Sequence, residues 1–145
     1  YASRTEGTTD ITRLHVADLS RGSDTVVAEL DEGDIVTAVD WHPTDDVLLV
    51  SILTGAPYVV DVGTGSATRA DDEVDEARWT PDGSAAIAAR VTFGPEDPAA
   101  RSDRQNLVRL GWDGSELGAP EPLVDLKDGW GPLLWFDSLS VAPCG

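Results

Sequence analysis

The sequence predicts an all-β fold assembled from about three repeated, four-stranded antiparallel units. Three observations predict it. No window places apolar residues at i, i+3, i+4 and i+7 between helix caps, so helices are not expected. Short β-branched and aliphatic runs recur along the chain, separated by Gly, Asp, Thr and Pro clusters. One turn also repeats: Trp41-His42-Pro43 and Trp79-Thr80-Pro81 stand 38 residues apart (79 − 41).

The elements follow in order. Arg13 to Leu19 reads as a strand ending in the turn Ser20-Arg21-Gly22-Ser23. Thr25 to Leu30 is the next strand, closed by Asp31-Glu32-Gly33-Asp34. Ile35 to Trp41 alternates, with Ile35, Thr37, Val39 and Trp41 on one face and Val36, Ala38 and Asp40 on the other. After His42-Pro43-Thr44-Asp45-Asp46, the run Val47 to Ile52 is apolar throughout, which suits a strand buried on both faces. The order then recurs. Pro57 to Val62 turns at Gly63-Thr64-Gly65-Ser66, Val74 to Trp79 turns at Thr80-Pro81-Asp82-Gly83, and Ala85 to Val91 follows. A looser third copy comprises Asn106 to Trp112, Pro122 to Leu126 and Leu133 to Val141, ending on Val141-Ala142-Pro143-Cys144-Gly145. Tyr1 to Arg4 matches Ile87 to Arg90, so the opening falls in the same register. The units are 1–46, 47–84 and 85–145, within one domain. A period near 40 with four strands per unit is the signature of β-propeller blades, which bury their faces only against neighbours.

The turns Trp41-His42-Pro43-Thr44-Asp45 and Trp79-Thr80-Pro81-Asp82-Gly83 resemble the Trp-Ser-Pro-Asp-Gly motif of TolB-like and related WD40-like propellers. Val60-Asp61-Val62-Gly63-Thr64-Gly65 is similar to the same family. The resemblance implies that Trp41 and Trp79 pack between blades, that Pro43, Pro81 and Gly83 shape the turn, and that Asp82 bonds turn amides. It also implies a non-catalytic protein-binding or scaffold module. Two alternatives are the propeller part of a larger hydrolase of prolyl oligopeptidase type, or a carbohydrate-active propeller. A third is a cation-stabilised secreted structural domain. The resemblance favours an extracytoplasmic or secreted setting. Three blades are fewer than the minimum of about four in closed propellers. The chain is therefore part of a larger ring, or half of a six-bladed ring completed by a homodimer, or a β-sandwich of about twelve short strands.

Composition narrows the partners. Lys and Arg total 10 against 27 Asp and Glu, a net charge of −17. Such a field repels phosphate backbones and acidic lipid, so a protein partner is expected, with no nucleic acid and no membrane insertion. No apolar run approaches the roughly 20 residues that span a bilayer. A chain with no Met that opens on Tyr1 reads as a processed product or an excised piece. Cys144 stands alone, so no internal disulfide forms.

Candidate sites come from loops. Phe93 to Arg104 replaces the short turn Leu53-Thr54-Gly55-Ala56 of the preceding unit. It is either a disordered surface loop or a partner-contacting one, in which Phe93, Glu96, Asp97, Arg101 and Arg104 would bind. Trp130, in the apolar segment Gly129 to Phe136, is either a core residue or part of an exposed docking patch. Asp71, Asp72, Glu73, Asp75 and Glu76 form either a solvated acidic loop or a weak calcium site, although the EF-hand glycine is missing. No other cofactor is expected. One Cys and two distant His argue against zinc. There is no Gly-x-Ser-x-Gly elbow and no phosphate loop. His15 reads as an ordinary strand residue, and His42 as a substitute at the motif's Ser position.

Overall fold

A computed structural model describes residues 1–4, 11–53, 55–70, 74, 76–92 and 104–125. These residues form three antiparallel sheets and no helix, and no sheet closes into a barrel. The first sheet is β1 (Ala2–Arg4), β2 (Thr12–Asp18) and β3 (Ser23–Glu29). The second is β4 (Val36–Trp41), β5 (Val47–Ile52), β6 (Tyr58–Asp61) and β7 (Ala67–Arg69). The third is β8 (Ala77–Trp79), β9 (Ala85–Thr92), β10 (Arg104–Gly111) and β11 (Glu121–Asp125). Each sheet is a meander of neighbouring strands, as short turns between alternating runs require. The expected strand Leu133 to Val141 lies outside the described residues.

The sheets are cut at other points than the sequence units. Each Trp-x-Pro turn joins the first two strands of one sheet, as the pairs Trp41↔Leu48 and Trp79↔Ala86 show. The tight turn after Trp41 brings β4 back antiparallel onto β5. The chain therefore changes sheet earlier, between Leu30 and Val36. The first sheet consequently has three described strands. Its β1 occupies the place held by β5 and β9 in the others, where β4 and β8 lie outside them.

Two apolar layers hold the stack together. Leu14, Ala28 and Leu30 pack against Leu48, Val50, Ile52, Tyr58 and Val60. On the opposite side of the second sheet, Val47, Leu49 and Val59 pack against Ala77, Trp79, Ala86, Ala88, Val108 and Leu110. Alternate residues of β5 point into different layers, and all six are buried. The uninterrupted apolar run Val47 to Val50 is the sequence trace of this double burial.

The turns repeat chemically as well. Asp18, Asp61, Asp82 and Asp113 each accept backbone amides two or three residues ahead, from Ser20, Thr64, Ser84 and Ser115 respectively. These bonds, with those from neighbouring hydroxyls, hold all four carboxyls below their usual range. Asp82 is lowered furthest, to about 2, chiefly by the Thr80 hydroxyl at 2.6 Å.

Candidate functional site

Two features of the surface combine reactive or apolar groups with a built geometry. The first is a notch beside β1. Trp41 pairs with Leu48 and Val39 with Val50, and paired residues share a face. Both therefore point toward the first sheet, but that sheet has no described strand opposite β4. Trp41 is left 48% exposed, and Val39 is exposed with it, whereas Trp79 at the matching position is 4% exposed. The bulge between Val36 and Ala38 puts Val36, paired with Ile52, on this face in place of the Ile35 and Thr37 expected there. Of the two motif tryptophans, Trp79 packs between sheets and Trp41 does not, because β4 and its turn cover Trp79 while nothing described covers Trp41.

The covered junction shows what full packing looks like. Trp79 donates its backbone N–H to the Asp40 carboxylate at 2.8 Å and meets the His42 ring edge-on at 4.7 Å. His42 is buried. Its Nδ1 accepts the Asp45 amide at 3.0 Å, so Nε2 carries the proton and donates to the Gly83 carbonyl at 2.9 Å. The residue at the motif's Ser position therefore bridges two successive motif turns. Trp112 closes the cluster, 5.3 Å from Trp79, and donates its Nε1–H to Asp45 at 3.3 Å.

The second feature is the outer face of the first sheet. Ser3 on β1, His15 on β2 and Asp24 on β3 form a chain across three adjacent strands. Ser3 Oγ lies 2.7 Å from His15 Nε2, and His15 Nδ1 lies 3.1 Å from Asp24 Oδ2. An ionised carboxylate can only accept, so Nδ1 carries the ring proton and Nε2 accepts from the serine hydroxyl. Tyr1 stacks on His15 at 4.6 Å and donates its hydroxyl to Asp24 Oδ2 at 2.6 Å. That bond is the main reason the Asp24 carboxyl is lowered and the Tyr1 phenol raised. Arg13, directly across the ladder from Ser3, pairs with Glu29 at 2.7 Å. Motif searching misses this array because its members are brought together by cross-strand register, and the only trace in the sequence is the placing of Ser, His and Asp on three successive strands.

A third polar cluster is structural. The single Tyr58 Oη proton is shared between Asp34 and Asp31, whose oxygens lie at 2.7 and 2.8 Å, and Oη accepts from Arg69 Nε at 2.9 Å. Arg69 also pairs with Asp34 at 2.8 Å. The cluster ties the turn after β3 to β6 and β7. Burial first, then the two carboxylates, pushes the Tyr58 phenol up to about 12. A raised phenol contributes stability that is full below its ordinary value of about 10 and is lost as pH rises through the folded value. Urea melts of the wild type should therefore weaken between about pH 10 and pH 12, and Tyr58→Phe should flatten that decline. At neutral pH the same substitution should cost about 1–3 kcal/mol, by leaving partly buried groups unpaired.

Most residues singled out from the sequence fall elsewhere. Phe93, Glu96, Asp97, Arg101 and Trp130 lie outside the described residues, and so do Asp71, Asp72, Glu73 and Asp75. Arg104 begins β10 and pairs in register with Thr92. Glu76 forms an ion pair with Arg78 at 3.0 Å. Pro43 and Pro81 sit exposed in their turns. Neither a protein-family model nor a curated protein matches the chain.

Proposed function

We propose that the chain is a protein-binding or scaffold module of TolB-like propeller type, which binds by accepting a strand in the notch beside β1. The exposure of Trp41, against the burial of Trp79 in the completed junction, is the observation that carries this reading. An edge strand offers main-chain hydrogen bonds, and the apolar floor formed by Trp41 and Val39 offers side-chain contacts. A strand ending in a Trp-x-Pro type turn is the natural occupant, because that is what covers Trp79. The sequence carries one more such run, Leu133 to Val141 with Ala142-Pro143, so a second copy is the partner the chain itself could supply.

Light scattering after size-exclusion chromatography tests the idea. The wild type should form a dimer that strengthens from 0.15 M to about 1 M salt, because two chains of net charge −17 repel at low ionic strength. Trp41→Lys should return it to a monomer that still unfolds in one cooperative urea transition, without the protein-concentration dependence that the dimer gives the wild type. A wild type that stays monomeric at high concentration and high salt overturns the reading.

A further inference from the structure

We propose that the Ser3–His15–Asp24 array is a nucleophilic site that takes small acyl esters, an activity separate from binding in the notch. The three contacts a general-base serine needs are in place. The Ser3 hydroxyl donates to His15 Nε2 at 2.7 Å, His15 donates from Nδ1 to Asp24 at 3.1 Å, and Asp24 is itself held by the Tyr1 hydroxyl at 2.6 Å. The imidazole is restrained on its flat side by the Tyr1 ring, and its side chain is only 13% exposed. Orientation and tautomer are thus fixed before any substrate arrives. Arg13 faces Ser3 across the ladder, with side-chain roots about 4.5–5.5 Å apart in such a pair. Its guanidinium is bonded to Glu29 on β3, the strand on the other side of β2 from Ser3.

The chemistry balances with water as the only co-reactant. Ser3 Oγ bonds to the acyl carbon as its proton passes to His15 Nε2. The carbon–oxygen bond to the alcohol then breaks as Nε2 returns that proton to the leaving oxygen. Water next attacks the acyl-serine and gives a proton to Nε2, and the proton returns to Ser3 Oγ as the acid leaves. Asp24 accepts the Nδ1–H bond throughout and favours the imidazolium that forms in each half-reaction. The array sits on an open sheet face, which suits a small activated ester and not a long chain that needs an enclosing pocket.

The probes are an alkyl fluorophosphonate, with the adduct mapped by mass spectrometry, and hydrolysis of 4-nitrophenyl acetate. The full wild-type chain should carry one adduct, on Ser3. Ser3→Ala should abolish both labelling and hydrolysis, and His15→Gln should slow labelling by about 100-fold or more, the usual scale of general-base assistance. Both variants should still unfold in one cooperative urea transition, since the apolar layer of this sheet is on its other face. An adduct on another serine, no adduct at all, or hydrolysis that survives Ser3→Ala and disappears only in His15→Gln overturns the proposal. The adduct reads Ser3 alone and light scattering reads the dimer alone, and the exposed control Leu53→Ala should leave both unchanged, so a failure here is distinct from a failure of the binding reading.

Discussion

Gly83→Ala should cost about 2–5 kcal/mol in urea denaturation. Two effects add. Gly83 has φ +70°, a left-handed conformation that costs an L-residue about 1–2 kcal/mol. A Cβ there would also stand 2.5 Å from the His42 ring, which has nowhere to retreat. That ring is buried, packed on Trp79 and bonded at both nitrogens. Displacing it breaks the link between two motif turns and strands buried polar groups, worth about a further 1–3 kcal/mol. Gly114→Ala separates the two causes. Its φ is +98° but nothing lies within 4 Å of the added carbon, so only the backbone penalty should appear. If the two substitutions cost the same, the His42 junction contributes nothing.

Leu49→Ala should lower stability by about 3–5 kcal/mol, the range for a fully buried leucine whose surroundings cannot collapse into the gap. Leu49 is wholly buried between Val47, Val59 and the side chains of the third sheet. Two stacked sheets held by ladders on both sides leave little freedom to close the cavity. Leu48, its neighbour in sequence, belongs to the other apolar layer. Leu48→Ala should therefore destabilise by a similar amount through a different interface. Leu53→Ala, at an exposed position just after β5, should change stability by less than about 0.5 kcal/mol. A single transition for all three variants, with an unchanged denaturant slope, would mean that the stack melts as one unit.

The all-β type and most of the strand order were legible because the chain's local signals agree with one another, while the short polar strand β7 carried no such signal and was not expected. The apolar run of β5, the alternation of β2 and the Asp and Gly turns all say the same thing at short range. What the sequence left dark was pairing. Nothing local to Ile35–Trp41 says that it belongs with the strand after it, and that choice decides which tryptophan is covered. The Ser3–His15–Asp24 array depends on the same kind of information. The register of β2 on β3 skips a residue between Leu14 and His15, so that His15 faces Val26 and Ala17 faces Asp24. That irregularity helps bring Asp24 within reach of the imidazole, and no periodicity in the sequence encodes it. His42 was read as a filler at a serine position, since its partner Gly83 is distant in sequence and close only once two turns are stacked.

The double burial of the second sheet sets an order of events for local opening. Among the described residues the first and third sheets each pack on one face only, and each can separate from the stack by breaking one apolar layer. The middle sheet can be freed only after one of them has left. Amide protons along β5 and β6 are therefore the last to exchange with solvent, and those of β1 and β11, at the margins, are the first. The notch and the serine array both lie on the first sheet, so opening there would leave intact the centre that holds the stack together.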